Sequence, residues 1–164
     1  MSLPASLAVR AGTSPAPTPV PANVIDCQEC DDIPGDEPIM QKVLIADDDK
    51  DARFLWRVVA REYGLESIEV ANGREALDQL EQDSGIALVI LDMMMPLVTG
   101  EKVLRQMRGD ARLKTTPVIV STANRTTQSL GEITVDEKTF FVNKASGIEN
   151  MRRGIARALG QEPG

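Results

Sequence analysis

Carboxylates follow two apolar runs of this 164-residue chain, and their placement suggests a metal-dependent reaction. In LIADDDKDAR the residues Asp47, Asp48 and Asp49 come directly behind LIA, and in IALVILD the run ends on Asp92. Adjacent carboxylates repel one another unless a cation lies among them. Mg²⁺ suits such a group best, because it takes oxygen ligands and keeps positions open for water and phosphate oxygens. Mn²⁺ is the alternative ion.

Two further polar residues end apolar runs and suit a phosphoryl group. Thr122 closes VIVST, and Lys144 follows TFFVN. A hydroxyl donor and a fixed positive charge match phosphoryl oxygens better than they match another carboxylate. Asp47 and Asp48 are the leading metal ligands, which leaves Asp92 as the natural nucleophile. The constellation therefore indicates phosphorylation of an aspartate.

Short apolar runs alternate with amphipathic stretches from residue 42 onward. Five runs predict strands, at 42–46, 65–70, 86–91, 116–122 and 139–143. Four stretches predict helices, at 51–64, 72–82, 100–109 and 147–159. Asn72 and Glu75 have the spacing of a capping box at the start of the second helix. Strands that alternate with helices predict an α/β fold with a doubly wound, mainly parallel sheet and helices on both faces.

The carboxyl ends of these strands would position the polar residues. In an open α/β sheet the ligand crevice lies beyond those ends, where the winding of the chain reverses. Asp47 and Asp48 end the first strand, Asp92 the third, Thr122 the fourth and Lys144 the fifth. If the strand order is 2-1-3-4-5, the first and third strands are neighbours, and Asp48 and Asp92 come together.

The motifs LIADDD, LDMMMP, VIVSTA and FVNK, taken together, resemble the receiver domain of two-component response regulators. The resemblance covers about residues 41–160. It implies a flavodoxin-like five-stranded parallel sheet of order 2-1-3-4-5, with helices on both faces. It also implies that the phosphoacceptor is Asp92, and that Mg²⁺ is held by Asp47, Asp48, Asp92 and the carbonyl of Met94.

The resemblance also assigns the residues that sense the phosphoryl group. Thr122 and Lys144 would bind its oxygens, and Phe141 would occupy the aromatic switch position on the last strand. Phosphorylation would draw Thr122 inward and shift the surface around the fourth and fifth strands between two arrangements. The chain would catalyse its own phosphorylation and slow dephosphorylation rather than act as a conventional enzyme.

The phosphoryl donor must come from outside, because the chain contains no His. The expected donor is a phosphohistidine on a sensor histidine kinase or a histidine phosphotransfer protein. Only the residues from 145 to 164 follow Lys144, enough for one helix. We therefore expect no DNA-binding output module in this chain, and signalling or relay through a downstream protein target.

Two other classes of function fit parts of the sequence. A phosphatase of the haloacid dehalogenase type would use Asp47 as its nucleophile, since LIADDDKD contains Asp-x-Asp after the first strand. That family has Thr or Val where this chain has Asp51, and its late acidic motif is missing here. A receiver-like module that binds partners without phosphorylation is the third reading, against which the full set of polar positions argues.

Composition excludes several classes of protein. With 25 acidic and 18 basic residues the formal charge is -7, which disfavours binding to nucleic acid and to acidic membranes. The apolar run at 86–91 is too short to cross a bilayer, so a cytoplasmic location is expected. The absence of His excludes a Ser-His-Asp triad, a Cys-His pair and an imidazole metal site within one chain.

The first 40 residues differ from the rest. Seven of the ten prolines precede residue 39, which predicts a disordered tail over 1–40, a receiver domain over 41–160 and a short tail over 161–164. Cys27 and Cys30 have the spacing of half a zinc site or a redox pair, but acidic and proline-rich surroundings favour incidental reduced thiols. A metal shared between chains or a disulfide is the alternative.

Two departures from the family lead to structural predictions. Pro usually follows the lysine, often through a cis bond, whereas here the pair is Lys144-Ala145. A cis bond before a residue other than Pro costs about 2.5–4 kcal/mol, so we predict a trans bond with Lys144 still directed at Asp92. The stretch 124–138 is rich in Thr and other poor helix formers, which predicts at most two helical turns there.

Overall fold

The computed structural model describes residues 40–123 and 136–161, and within them five strands form one parallel sheet. The strands are β1 (Lys42–Ala46), β2 (Glu66–Val70), β3 (Ile86–Asp92), β4 (Val118–Thr122) and β5 (Thr139–Asn143). Their order is β2-β1-β3-β4-β5, and each neighbouring pair is parallel. The predicted doubly wound sheet and its strand order are confirmed.

Four α-helices lie in the described residues, each where an amphipathic stretch predicts one. They are α1 (Lys50–Glu62), α2 (Gly73–Gln82), α3 (Gly100–Gly109) and α4 (Ile148–Ala158). The N-cap of α2 is confirmed, since the Glu75 amide donates to Asn72 Oδ1 at 2.9 Å. The reciprocal bond differs from the prediction, because the Glu75 carboxylate accepts from the Ala71 amide, at 3.1 Å, rather than from Asn72.

The sheet has a core on each face, which explains why its central strands are apolar without interruption. Successive side chains of a strand point to opposite faces. Leu44 and Val89 accordingly pack in a cluster with α2 and α3. Val43 and Leu88 pack in the other cluster, with α1 and α4. Burial on both faces holds β1 and β3 rigidly, and so fixes the loops that follow them.

Arg108 joins three segments at the amino-terminal edge of the sheet. From α3, its Nη1 atom donates to the carbonyls of Lys114 and Thr116, at 3.2 and 3.0 Å. Its Nη2 atom donates to Thr139 Oγ1 at 3.0 Å and to Asp136 Oδ1 at 3.2 Å. One guanidinium therefore holds the segments that lead into β4 and β5. Of these two strands, β4 ends on Thr122 and β5 is followed by Lys144.

Some predictions fall on residues outside the described ranges. They concern the tail over 1–39 with Cys27 and Cys30, the segment 124–135 of the predicted short helix, and the last three residues, 162–164. Within the described residues, no helix combines the length and the apolar character that a membrane crossing requires.

Candidate functional site

Three carboxylates meet at the carboxyl edge of the sheet. Asp47, Asp48 and Asp92 each offer an oxygen, and these oxygens all lie within 4.8 Å of one another. The contact follows from the pairing of β1 with β3, in which Ala46 is opposite Leu91, so the residues after both strands are neighbours. Asp47 and Asp92 are buried, at 0% and 5% exposure, whereas Asp48 is exposed. The structure thus brings together the three aspartates that the sequence places at one edge of the sheet.

Lys144 reaches into this cluster from the end of β5. Its Nζ atom lies 2.7 Å from Asp47 Oδ2 and 3.3 Å from Asp92 Oδ2. Ala145 stands where the family pattern has Pro, and it lies in a 3₁₀ turn over Lys144–Ser146. Asn143 Oδ1 caps this turn by accepting from the Ala145 amide at 2.8 Å. No peptide bond of the described residues is cis, so the predicted trans Lys144-Ala145 bond is confirmed.

A backbone amide holds the Asp47 carboxylate, and one arginine holds the Asp47 main chain. Its Oδ1 atom accepts from the Asp49 amide at 3.0 Å, and Arg53 Nη1 donates to the Asp47 carbonyl at 2.6 Å. Its Oδ2 atom is buried and accepts no well-aligned hydrogen bond from the described residues, so Lys144 acts on it as an ion-pair partner. A buried carboxylate oxygen without a directional donor retains lone pairs for a cation.

The loop after β3 holds Asp92 from its backbone side. The Met94 amide lies 3.4 Å from Asp92 Oδ1, a long hydrogen bond, and the Met94 side chain is 80% exposed. Gly100, the first residue of α3, donates its amide to the Met93 carbonyl at 3.2 Å. A Cβ atom at position 100 would lie 2.1 Å from the Asp92 carbonyl oxygen. The sequence pattern did not single out Gly100, because nothing local marks this close approach.

Burial and charge shift the titration of two groups in the site. Burial raises the pKa of the Asp92 carboxyl above its ordinary 3.8; the positive charge of Lys144 opposes this shift, and the negative charge of Asp47 adds to it. Burial disfavours the charged ammonium of Lys144, but its contacts with Asp47 and Asp92 outweigh that effect and raise its pKa above 10.5. Lys144 is therefore a permanent cation at neutral pH.

The ends of β4 and β5 carry the other predicted residues. Thr122 ends β4 opposite Asn143 in the strand register, and Ser121 pairs with Asp92. Ser121 Oγ accepts from the indole Nε1 of Trp56 at 3.3 Å, a buried contact that sequence reasoning missed. Phe141 is partly buried and packs against the α2 and α3 cluster, so its core role is evident in the structure.

A doubly wound parallel sheet with a carboxylate cluster and a lysine where its winding reverses defines an α/β protein with a charged crevice at the carboxyl edge of the sheet. The family model of the response regulator receiver domain matches residues 43–156. This chain belongs to that family.

Similar proteins include regulators from bacteria and plants. The chain is 37% identical over 84 residues to the transcriptional regulatory protein CpxR of Escherichia coli K12. The matched region covers 51% of this chain and 34% of CpxR. It thus spans about a third of the length of that relative. It is 24% identical over 117 residues to the two-component response regulator ORR5 of rice, covering 71% of this chain and 87% of ORR5.

Solved structures share the fold over most of their length. The chemotaxis response regulator CheY4 of Vibrio cholerae matches with a TM-score of 0.65 at 25% identity, over 73% of this chain and 98% of CheY4. The bacteriophytochrome response regulator AtBRR matches with a TM-score of 0.62 at 26% identity, over 77% of this chain and 97% of AtBRR.

Proposed function

We propose that this chain receives a phosphoryl group on Asp92 from a phosphohistidine of a partner protein, with a divalent cation bound beside it. One observation carries the proposal. The buried Asp92 carboxylate shares a cluster with two other carboxylates and lies 3.3 Å from the partly buried ammonium of Lys144. A carboxylate nucleophile beside a fixed cation and a metal-binding group suits phosphoryl transfer.

The residues present fit Mg²⁺. Asp47, Asp48 and Asp92 supply hard oxygen ligands, and the Met94 carbonyl is the proposed fourth protein ligand. The buried Oδ2 atom of Asp47 accepts no well-aligned hydrogen bond from the described residues and pairs with the Lys144 ammonium at 2.7 Å, so a metal would share this oxygen with that ammonium. The bound ion would neutralise negative charge on the carboxylates and on the incoming phosphoryl oxygens. Mn²⁺ has the same ligand preference and is the expected substitute.

The chain itself supplies the nucleophile and the positioning. An Asp92 carboxylate oxygen attacks phosphorus as the bond from phosphorus to the histidine nitrogen breaks, and the nitrogen keeps the electron pair of that bond. Lys144 holds its ammonium beside the position that a phosphoryl oxygen on Asp92 would take, and Thr122 supplies a hydroxyl from the end of β4. Burial of Asp92 limits the water that reaches the acyl phosphate.

The signal would pass to other proteins. Thr122 and Phe141 lie on the two strands at one side of the sheet, so a shift of Thr122 toward the phosphoryl group would alter the surface around β4 and β5. We propose a sensor histidine kinase or a histidine phosphotransfer protein as donor, and a protein target as receiver of the signal. We place this chain in the cytoplasm, where such partners act. We propose that its receiver domain spans residues 41–160.

Phosphorylation by a small donor tests the assignment. The full chain is treated with acetyl phosphate and Mg²⁺, and the product is followed by intact mass and by Phos-tag electrophoresis. We expect one alkali-labile acyl phosphate, absent with EDTA and absent in Asp92→Asn. Asp78→Asn, on the exposed face of α2, is the matched control and should behave as wild type.

The alternatives give different results in the same experiment. Loss of the phosphate in Asp47→Asn with full labelling of Asp92→Asn would assign the nucleophile to Asp47, as in the hydrolase reading. A chain that gains no phosphate from acetyl phosphate or from any histidine kinase of its source organism, yet binds a protein partner, would support the phosphorylation-independent reading.

A further inference from the structure

Arg53, in the first turn of α1, connects the proposed metal ligand Asp47 to the end of β2. Its Nη1 atom donates to the Asp47 carbonyl at 2.6 Å. Its Nε atom lies 3.7 Å from Glu69 Oε2, an ion pair, and only 16% of the Arg53 side chain is exposed. One guanidinium is thus anchored on β2 and reaches the residue that follows β1.

The end of β2 holds the Asp47 main chain on its other side as well. The Asp47 amide donates to the carbonyl of Val70 at 3.2 Å, and Val70 is the last residue of β2, directly after Glu69. The amide and the carbonyl of Asp47 therefore both depend on this strand end, the first directly and the second through Arg53. Because the main chain of a residue fixes where its side chain begins, these two hydrogen bonds fix the base of the Asp47 carboxylate.

We propose that Arg53 is a positioning residue for the divalent cation, which holds Asp47 in the orientation that Mg²⁺ binding requires without contacting the ion. Glu69 is the acceptor that keeps the guanidinium of Arg53 in place. The inference rests on the proposed function, in which Asp47 is a metal ligand. Residues that orient the ligands of a metal typically contribute about 10–100-fold to its affinity.

The charge of Arg53 acts against this role, so charge and positioning have opposite effects on metal binding. A positive side chain beside the carboxylate cluster repels a cation, and its removal would by charge alone tighten Mg²⁺ binding. Loss of the contact with the Asp47 carbonyl would weaken Mg²⁺ binding. Glu69 offsets part of the repulsion, because its carboxylate pairs with Arg53 and also accepts from Arg57 at 2.9 Å.

The choice between Mg²⁺ and Ca²⁺ separates positioning from charge and from folding. Mg²⁺ is small and demands nearly ideal octahedral geometry, whereas Ca²⁺ accepts more ligands at longer and more variable distances. A displaced Asp47 therefore costs more affinity for Mg²⁺ than for Ca²⁺. A change of charge acts nearly alike on two divalent ions, and an unfolded chain loses both. Only a change in ligand placement alters the preference for Mg²⁺ over Ca²⁺.

Arg53→Lys tests the proposal on the full 164-residue chain, titrated with MgCl₂ and with CaCl₂ and followed by ¹H–¹⁵N NMR. Lysine keeps the positive charge but has one ammonium in place of the planar fork that reaches both Asp47 and Glu69. We expect Mg²⁺ to bind about tenfold more weakly, and Ca²⁺ affinity to change by less than about threefold. Arg53→Met should lose the preference for Mg²⁺ to the same extent. The signals of residues far from the cluster show that each variant is folded.

Arg57→Met is the matched control. It removes one positive charge from the same helix and one partner of Glu69, but the hydrogen bond of Arg57 goes to Glu69 and not to Asp47, and 48% of its side chain is exposed. It should keep the wild-type preference for Mg²⁺ over Ca²⁺. If Arg53→Lys binds both ions as wild type does, or loses both equally, the positioning role is overturned while the proposed function stands. A wild-type chain that binds neither ion overturns the proposed function and this inference together.

Discussion

Lys144 lies closer to Asp47 than to the proposed phosphoacceptor: its Nζ atom is 2.7 Å from Asp47 Oδ2 and 3.3 Å from Asp92 Oδ2. The ammonium therefore occupies part of the space in which a divalent cation would bind its ligands. Coulomb repulsion between the two cations must weaken metal binding. The same ammonium stabilises negative charge on a phosphoryl group at Asp92, so its effects on metal binding and on phosphorylation are opposite in sign.

Lys144→Met should separate these two effects. We expect Mg²⁺ to bind about threefold to tenfold more tightly, because one positive charge has left the cluster. Phosphorylation by acetyl phosphate should nevertheless fall by about 100-fold, because the phosphoryl oxygens lose their cation. The fluorescence emission of Trp56, the sole tryptophan, can follow the Mg²⁺ titration, since its indole contacts Ser121 beside Thr122. Lys102→Met on the exposed side of α3 is the control, and weaker Mg²⁺ binding by Lys144→Met would contradict the argument.

Gly100→Ala should damage the site from its backbone side. The added Cβ would lie 2.1 Å from the Asp92 carbonyl oxygen and 2.9 Å from Met93 Cα, and neither backbone atom can move alone. We expect a loss of about 1–3 kcal/mol in the free energy of unfolding. Phosphorylation should slow at least about tenfold, because Asp92 is displaced. Both are measurable, by urea denaturation and by the labelling time course.

Gly109→Ala is the matched control at the other end of α3, where a Cβ would meet no atom within 4 Å. Replacing Gly by Ala at the end of a helix should leave the free energy of unfolding unchanged or raise it by up to about 1 kcal/mol. Equal destabilisation by the two substitutions would show that helix propensity, rather than contact with Asp92, decides the effect.

The fold could be predicted from the sequence because its strands are buried on both faces. Runs such as KVLIA and IALVIL have one structural interpretation once helices separate them, and the residue that ends each run is then fixed at the sheet edge. The residues Asp47, Asp92 and Lys144 meet for that reason. The strand order that makes β1 and β3 neighbours was implied by the family resemblance rather than by the runs themselves, and Lys144 reaches the two aspartates from β5, two strands away from β3.

The contacts that sequence reasoning missed join segments far apart in the chain. Arg108 bonds to Asp136 and Thr139, and the Trp56 indole bonds to Ser121. The spacing of apolar residues along the chain carries no information about such distant pairs. The sequence also could not predict that Asp47 is buried and Asp48 exposed. The path of the backbone after β1 decides which of the two adjacent carboxylates points inward.

Asp136 should make stability depend on pH in the acid range. Burial opposes its ionisation, but the hydroxyl of Thr139 and the charge of Arg108 outweigh that effect and lower the pKa of its carboxyl below the ordinary 3.8. Between the two pKa values the unfolded chain binds more protons than the folded one. The stabilisation is therefore present above the unfolded pKa of about 4 and is lost as pH falls from there through the lower pKa of the folded state.

Asp136→Asn should reveal this contribution. At pH 7 we expect the variant to lose about 1–2 kcal/mol of the free energy of unfolding, because a charged acceptor of Arg108 and Thr139 is gone. At about pH 3 the difference from wild type should shrink. Thr139→Ser, which keeps the hydroxyl donor, should retain the wild-type dependence on pH. A constant difference between wild type and Asp136→Asn across this range would rule out ionisation of Asp136 as the cause.

Leu97 should be replaceable with a gain in stability. Its φ is 68°, and it is the only non-glycine residue with positive φ in the described part of the chain. The Val98 amide donates to the Pro96 carbonyl at 2.8 Å and closes a tight turn around it. Since its side chain is 80% exposed, Leu97 gains little from packing in return for a backbone conformation that costs about 1–2 kcal/mol.

Leu97→Gly removes that steric cost but makes the unfolded chain more flexible, so the net gain should be about 0.5–1 kcal/mol. Leu97→Asn, which tolerates positive φ, should gain a similar amount. Met94 is equally exposed in the same loop, without positive φ, so Met94→Gly should instead lose stability. Urea denaturation of the three variants at one pH measures all three effects. If Leu97→Gly proves no more stable than Met94→Gly, then the turn at Leu97 carries no strain that glycine relieves.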